Sequence, residues 1–333
     1  MLDSHFGESA RLSVGLEEEL MILDAETLQP AAAVEHFLGT PGFKTELHAS
    51  VVELNTGVSP DVESAIEELR ALRATAAEIA AANGLAVAAA GAHPTAPFES
   101  LPVVQEERYL SMLRDVGYSA RRQGVNGLHV HVGLESGDAC YERLEAVLPW
   151  LPVALALSAN SPFLDGVATG MQSNRALVLA ELPRAGAPPA FGSYAAWERW
   201  VERLVALGVI GDHTRIWWDV RPHPTFGTLE IRIADQPTAL ERSALLAGLL
   251  VGLVANAPGR EPAPRGDYAQ NRWSAARYGL DAQLIHPDGD RIVAARELAA
   301  ELLGADPPEP EAHDQLRVGA ERAAADLVRR SLV

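Results

Sequence analysis

The sequence predicts an α+β domain built on an antiparallel sheet, and three observations carry that prediction. First, charged and apolar side chains alternate over 215–221 and again over 228–235, as in a half-buried antiparallel hairpin. Second, further extended stretches at 11–23, 44–56 and 127–133 are separated by helical periodicity, without the regular βα repeat of a parallel sheet. Third, the C-terminal third reads as helical over 238–256, 291–303 and 311–332. The charge-bearing strands are spread from residue 12 to residue 235, so one site would draw on most of the chain. A single domain over 1–333 is therefore expected, and no internal repeat, low-complexity tract or linker interrupts it.

The bulk numbers exclude some functions. The chain has 333 residues, 48% of them hydrophobic, a net charge of −18 and a pI near 4.9. That balance argues against a nucleic-acid surface, which needs a basic patch. It leaves room for anionic substrates, because acidic residues recruit metal ions that carry positive charge locally. One cysteine, Cys140, precludes an internal disulfide and fits a reducing compartment. It lies where a helix is expected to start, and a packed, inert thiol is the plainer reading. No signal peptide is visible, and the longest apolar stretch, 147–159, holds Pro149 and Pro152 and is too short to span a bilayer. A cytoplasmic location without membrane partners follows as the expectation. Of the 27 basic residues only Lys44 is a lysine, so a mechanism that needs one has a single candidate.

In order along the chain, 11–23 reads as a strand. Glu17 and Glu19 share one parity, and Leu16, Glu18 and Leu20 the other. Three consecutive glutamates in an apolar strand suit a site where cations sit among the carboxylates; the plainer alternative is a solvated, charged edge. The stretch 44–56 carries Glu46 and Glu53, seven residues apart, so both can serve one site only if the chain bulges or bends between them, near Ala49-Ser50. His48 shares the Glu46 face and is a possible neighbour. Ser59-Pro60-Asp61 opens a helix with Ser59 as N-cap; Ile66, Leu69, Leu72, Ala76 and Ile79 give its apolar stripe and Gly84 ends it. A small buried strand follows at 85–90. His93, held extended by Pro94, either ends that strand or lines a cleft.

After a helical pattern at 106–123 comes Gly127-Leu128-His129-Val130-His131-Val132-Gly133, which puts His129 and His131 on one strand face with apolar residues behind. A polar site on a sheet competes here with a pair of partly exposed histidines. The stretch 140–159 predicts an apolar helix bent at its prolines, and Arg175, after Ser173-Asn174, begins another. The Pro/Gly/Ala run 183–192 is long enough for a lid. A helix over 194–207 packs Trp197 and Trp200. In the two hairpin strands Arg215, Trp217, Asp219 and Arg221 share a face, as do Glu230 and Arg232; Leu229, Ile231 and Ile233 take the opposite side. The stretch 258–268 is a mobile-loop candidate.

Carboxylates in this number with one or two histidines suit Mg²⁺ or Mn²⁺ better than structural zinc, which would want cysteines. Several Mg²⁺ ions in a carboxylate cage point to phosphate chemistry. Neither a Gly-x-x-x-x-Gly-Lys-Ser/Thr loop nor a Gly-x-Gly-x-x-Gly after a strand is present, so metals and arginines would have to hold a nucleotide.

Gly15-Leu16-Glu17-Glu18-Glu19, the Glu46-to-Glu53 spacing, Gly127-Leu128-His129-Val130-His131 and Leu229-Glu230-Ile231-Arg232-Ile233-Ala234-Asp235 together resemble the glutamate–cysteine ligase type 2 family, the carboxylate–amine ligases. The match runs in order over nearly the whole chain. The resemblance implies a glutamine-synthetase-like fold, a curved antiparallel sheet with helices on its convex face and an ATP–metal site in its concave one. It implies phosphorylation of a carboxylate by ATP, the γ-carboxylate of L-glutamate being the expected one, and attack on the acyl phosphate by an amine such as L-cysteine. Carried over position by position, Glu17, Glu19, Glu46, Glu53, His129 and Glu230 correspond to metal ligands, with Mg²⁺ expected and Mn²⁺ an option. Glu53, Arg232 and Arg175 are the expected catalytic residues: Arg232 steadies the transferring phosphoryl group, and Arg175 resembles a second phosphate-facing arginine. Arg232, Arg175 and Glu230 would also hold the nucleotide, while His131 has no carried-over role. Substrates are expected to be small molecules, and the fold class suggests a homodimer. Two alternatives stand beside this reading: a non-catalytic metal- or nucleotide-binding homologue, and a barrel-type hydrolase using the His-x-His pair.

Overall fold

Alternation along the first strand sets the two faces of the molecule. In β1 (Val14–Asp24), Val14, Leu16, Leu20 and Ile22 are buried on one side and Glu17 and Glu19 stand on the other. The computed structural model describes residues 2–258 and 262–331. Around β1 lie β2 (Phe43–Thr45), β3 (Val51–Asn55), β4 (Leu85–Ala88), β5 (Gly127–Gly133), β6 (Val220–His223) and β7 (Thr228–Asp235). They form one sheet in the order β6-β7-β5-β1-β3-β2, with β4 pairing the far end of β1 beyond β5. Every ladder in it is antiparallel, which is incompatible with the βα barrel that the hydrolase alternative requires.

Helices cover one face. Val52, Leu54, Leu128, Val130, Val132, Leu229, Ile231 and Ile233 of the sheet share one core with Ile66 and Leu69 of the Val62–Ala82 helix, Leu144 of Gly137–Val147, Leu155 of Leu151–Ser158 and Leu250 of Leu240–Asn256. Burying each such side chain contributes on the order of 1.5–3 kcal/mol before entropy is set against it. The predicted bend at the prolines is real: a short 3-10 turn, Leu148–Trp150, separates the two apolar helices at Pro149. Cys140 is fully buried, its thiol pushed well up by burial, as the inert reading requires. β4 stops at Ala88, so His93 does not end it; its Nε2 is 2.9 Å from the Leu28 carbonyl, and its Nδ1 accepts from the Thr95 and Ala96 amides.

Several local expectations are corrected. The N-cap of the Val62–Ala82 helix is Asp61, which accepts from the Ser64 amide; Ser59 instead pairs with Val14. The 106–123 pattern breaks at Gly117 into Glu107–Val116 and Tyr118–Arg121. The 44–56 stretch bends where expected, with a turn at Ala49-Ser50, and the bend is a hairpin reversal rather than a bulge, Lys44 opposite Glu53 and Thr45 opposite Val52. The 183–192 run is tied down rather than lid-like. Ala185–Gly186 pairs with Trp217–Trp218, and the Phe191 and Gly192 amides donate to the Tyr141 hydroxyl. In the stretch 258–268, Gly259, Arg260 and Glu261 lie outside the described residues, while Arg265–Tyr278 forms a helix that alternation did not reveal. Asp219, placed with Arg221 by simple alternation, falls at the break between Trp217–Trp218 and β6, where it binds Arg272 and the Tyr268 hydroxyl instead.

Glu18 faces the helices and has no exposure. Arg73 meets it with a bidentate fork, Nε–Oε2 2.6 Å and Nη2–Oε1 2.8 Å, while also donating to the Pro237 and Thr238 carbonyls. Ser243 donates to the same carboxylate at 2.5 Å. Arg73→Leu should destabilise the fold by about 3–5 kcal/mol in urea denaturation, because it strands Glu18 without a counter-charge. The double variant Glu18→Leu/Arg73→Leu should recover most of that loss.

Candidate active site

Register on the open face of the sheet lines the polar residues up in three rows. Lys44, Glu53 and Glu19 lie opposite one another across β2, β3 and β1. Asn55, Glu17 and His129 do so across β3, β1 and β5. Gly15, His131, Glu230 and Arg221 make the third row across β1, β5, β7 and β6. Cross-strand neighbours of this kind stand about 4.5–5.5 Å apart at Cβ, which brings their functional groups together. Glu46 joins from the hairpin loop between β2 and β3, where the reversal turns it towards Glu19 and Glu53.

A bulge breaks the pairing of β7 with β5. Ile231 faces Val130 and Ala234 faces Leu128, so two residues, Arg232 and Ile233, stand opposite His129. The bulge carbonyls of Arg232 and Ile233 accept from the Arg175 guanidinium at 3.0 and 3.3 Å, which lays that side chain across the sheet. Gly127 makes room for it: a Cβ there would fall onto the guanidinium. Asp235, at the end of β7, accepts from the Ser161 and Ser173 hydroxyls, both at 2.7 Å, and from the Asn160 amide at 2.9 Å. Ser173 is also the N-cap of the Asn174–Leu179 helix, so Asp235 fixes the start of the helix that carries Arg175.

Two groups of ligand atoms result, each gathered within 4.8 Å: Glu19, Glu46 and Glu53; and Glu17, His131 and Glu230. All the expected site residues (Glu17, Glu19, Glu46, Glu53, His129, Arg175, Glu230 and Arg232) line one cavity of about 480 Å³. His129, the expected nitrogen donor, stands between the two groups with its Nε2 4.0 Å from Glu19, and His131 adds a donor to which the resemblance gave no role. His131, not His129, completes the second group, its Nε2 3.3 Å from Glu17 and its Nδ1 2.9 Å from the Thr228 hydroxyl. His129 sits between Glu17 and Arg232, its Nδ1 3.0 Å from the Glu17 carboxylate and 3.4 Å from the guanidinium. Both histidines share the predicted face, and only the register of β7 decides which one meets Glu230. His48 is buried away from the cavity, pairing with Val103.

Arg221 and Asp235 were not singled out from the sequence. Arg221 forks onto Glu230, Nε–Oε2 2.6 Å and Nη2–Oε1 3.1 Å, and Arg232 takes the same carboxylate from the other side. The signal for Arg221 was its shared parity with other charged residues of the hairpin; that for Asp235 was its place at the end of the quoted motif.

Electrostatics separate the two groups. Burial opposes ionisation of Glu17, yet His131 and His129 bring its carboxyl well below the usual range. Burial is likewise outweighed at Glu230 by Arg221 and Arg232. Glu19 goes the other way: burial, then Glu46, push it up to about 8. Burial also raises Glu46, and burial with Glu17 and Glu46 raises Glu53 well above normal. Burial and Arg232 lower His129 to about 4, leaving it neutral at pH 7. Three carboxyls that resist ionising together, beside the second group of Glu17, His131 and Glu230, form a donor set that divalent cations fit.

The family profile described as Glutamate-cysteine ligase family 2 (GCS2) matches residues 13–328. The chain belongs to that family. A relative from Rubrobacter xylanophilus, named "Putative glutamate--cysteine ligase 2-3", is 39% identical over 91% of this chain and 85% of its own. Another, "Putative glutamate--cysteine ligase 2" of Herpetosiphon aurantiacus, is 35% identical over 87% of this chain and 79% of its own. Among solved structures, glutamate–cysteine ligase from Francisella tularensis in complex with AMP aligns with TM-score 0.70 and 14% identity over 97% of this chain and 89% of its own. A bifunctional glutathione synthetase from Pasteurella multocida aligns with TM-score 0.62 and 18% identity over 96% of this chain and 50% of its own. The expected α+β class, an antiparallel sheet with helices on one face, is the one found, and the Francisella glutamate–cysteine ligase shares the fold. By family the chain is a ligase that forms C–N bonds, joining a carboxylate to an amine. Among the described residues no helix is long and apolar enough to cross a membrane.

Glu19 titrates near 8 when folded and near 4.5 when unfolded, so between those values the native state holds the extra proton. The Glu19 contribution to the stability of the metal-free protein should therefore fall as pH rises from about 5 to 8. Glu17 and Glu230, shifted downward, are ionised throughout that window, whereas His48, His129 and His223, held neutral by burial, add a rise in stability up to about pH 7 as the unfolded chain sheds its imidazole protons. Scanning calorimetry in EDTA should show the wild-type melting temperature falling by several °C relative to that of Glu19→Gln between pH 6 and pH 8, a comparison in which the histidines cancel, as about 1–2 kcal/mol gives in a domain of this size. Mg²⁺ or Mn²⁺ should raise it more at pH 8 than at pH 6. A Glu19→Gln melting temperature that tracks the wild type's across this range would contradict the shared-proton picture.

Proposed function

We propose that the protein is an ATP-dependent, Mg²⁺-requiring carboxylate–amine ligase. In this reading it activates the γ-carboxylate of L-glutamate as an acyl phosphate and couples it to an amine such as L-cysteine, in the cytoplasm. The observation that carries the reading is the pairing of two acidic groups on adjacent rows of one sheet, with Arg232 at the bulge between them and Arg175 laid across it.

Glu19, Glu46 and Glu53 would hold one divalent ion, and Glu17, His131 and Glu230 a second; Mn²⁺ suits the same oxygen and imidazole donors. Such ions neutralise phosphoryl oxygens and favour in-line transfer. The chain's own residues supply the rest. A substrate carboxylate oxygen attacks the γ-phosphorus, ADP leaves, and the amine nitrogen then displaces phosphate from the acyl carbon while losing a proton. Arg232 and Arg175 are fixed before substrate arrives, one by Glu230 and the other by the bulge carbonyls. Preset donors of this kind stabilise the charge that grows on the phosphoryl oxygens without reorganising. His129 holds the Glu17 carboxylate from the side opposite His131 and so orients it.

Purified protein with Mg²⁺, ATP, glutamate and a panel of amines and amino acids should release ADP in an amine-dependent manner. A panel that never raises ADP above background would contradict the proposal, and calorimetry showing ATP binding alone would favour the non-catalytic alternative. Arg232→Lys should lower turnover by about 10²-fold or more, because a point charge does not replace a planar fork.

Glu53→Gln and Glu230→Gln should both abolish turnover but separate in stability. Glu53 is crowded by like charges, so its amide should leave the melting temperature unchanged or raised. Glu230 answers two guanidinium groups, so its amide should destabilise by about 2–4 kcal/mol. Equal melting temperatures for the two variants would refute the division of charge drawn here.

A further inference from the structure

Asp219 does not line the cavity, yet its contacts lead to both of the arginines that close over it, Arg175 and Arg232. It is fully buried at the break before β6. In the register of β6 with β7, where Val220 faces Ile231, the next pair is Asp219 and Arg232. Alternation would aim the Asp219 carboxylate at the open face of the sheet, with Arg221 and Arg232. The Arg265–Tyr278 helix takes it to the core side instead. Arg272 forks onto it, Nε–Oδ2 2.6 Å and Nη2–Oδ1 3.1 Å, and the Tyr268 hydroxyl donates to Oδ2 at 2.7 Å. Both partners are buried, and Tyr268 packs in the main core.

This placement changes the backbone bonding. A regular hydrogen-bonded antiparallel pair exchanges two N–H···O bonds. Here the Arg232 amide donates to the Asp219 carbonyl at 2.8 Å, whereas the Asp219 amide turns to the Gly186 carbonyl, also at 2.8 Å. The Arg232 carbonyl is thereby left to accept from Arg175 at 3.0 Å. The Arg265–Tyr278 helix holds Arg175 by a second route. Its Ala276 carbonyl accepts from the Gln172 and Ser173 amides at 2.9 and 3.0 Å, immediately before the Asn174–Leu179 helix that carries Arg175. One helix on the core side therefore sets the backbone beneath both arginines.

We propose that Asp219 is a positioning residue for phosphoryl transfer. Arg272 and Tyr268 hold its side chain, its carbonyl fixes the Arg232 backbone, and the bond its amide withholds leaves Arg232 free to hold Arg175. The proposal rests on the ATP-dependent reading above, in which both arginines meet the phosphoryl group. A buried ion pair is weak evidence for stability alone, since a well-packed hydrophobic replacement often serves as well. This pair fixes the place of preset donors, and misplacing such groups by about 1 Å costs on the order of 10²-fold in rate.

Steady-state kinetics with Mg²⁺, ATP, glutamate and the best amine of the panel, combined with Mn²⁺ titration calorimetry and scanning calorimetry, test this. Asp219→Asn, which keeps the shape of the side chain but loses its charge, should lower kcat by about 10- to 100-fold. Its KM for ATP and its Mn²⁺ affinity should stay within about threefold of wild type, because neither acidic group is touched. Tyr268→Phe, which removes one bond and keeps the ring, should fall between wild type and Asp219→Asn. Asp219→Leu/Arg272→Met, which removes both charges, should regain most of the melting temperature lost in Asp219→Asn while kcat stays low. In a crystal structure of Asp219→Asn the Arg175 guanidinium should leave the Arg232 carbonyl. A kcat within about twofold of wild type in Asp219→Asn overturns the positioning role. So does a fall in Mn²⁺ affinity that matches the fall in kcat, or a kcat that recovers with the melting temperature in the double variant. Wild-type protein that releases no ADP with any amine overturns the ATP-dependent reading itself, and the positioning role with it.

Discussion

Five carboxylates share one face of a sheet that is otherwise buried, and the rest of the structure is arranged around their repulsion. Glu17, Glu19, Glu46, Glu53 and Glu230 line one cavity, where water cannot screen them well. Each is answered differently. Glu230 lies between Arg221 and Arg232, and Glu17 between two imidazoles. Glu19 takes the Gly127 amide at 2.5 Å, and Glu53 the Asn55 amide at 2.8 Å with Lys44 3.9 Å away. Those last contacts are weak compensation for burial among other carboxylates, which is why the Glu19 and Glu53 carboxyls are held so far above their normal range.

The bulge in β7 converts this crowding into a usable geometry. With regular pairing, Arg232 would simply face His129, and no carbonyl would be released to hold a second arginine. The extra residue turns two carbonyls towards Arg175, and Gly127 leaves the space that its guanidinium fills. Asp235 closes the arrangement from the far end, binding Ser173 at the start of the Arg175 helix. Sheet, bulge and helix start therefore position one another, so a change at Gly127 or Asp235 reaches Arg175 without touching substrate.

Period-2 alternation made much of this legible before any coordinates. It separates Glu17 and Glu19 from Glu18, pairs Glu230 with Arg232, and places His129 beside His131 on one face. It fails where the backbone departs from a plain strand. The hairpin between Glu46 and Glu53 was legible as a necessary departure, because seven residues is an odd spacing, but its form was not. Asp219 was misplaced because the strand breaks beside it, and the Arg265–Tyr278 helix was missed because it is polar around much of its surface and follows a Pro/Gly/Arg run. The choice between His129 and His131 was out of reach because parity cannot tell one pleat from the next. That needs the register of β7, which the bulge sets.

The near-absence of lysine bears on the same problem. Buried acids elsewhere in the molecule are met by guanidinium forks: Glu18 by Arg73, Asp219 by Arg272, Glu145 by Arg265. A planar fork satisfies two carboxylate oxygens at once, and an ammonium does not, so an acidic chain that buries charge has reason to be arginine-rich. Against that pattern, no guanidinium among the described residues donates a hydrogen bond to Glu19, Glu46 or Glu53. The fold meets its structural acids with arginine and leaves this group open, in the cavity that Arg175 and Arg232 also line. A group left uncompensated by a chain so well supplied with arginine is a place for a cation that the chain itself does not encode.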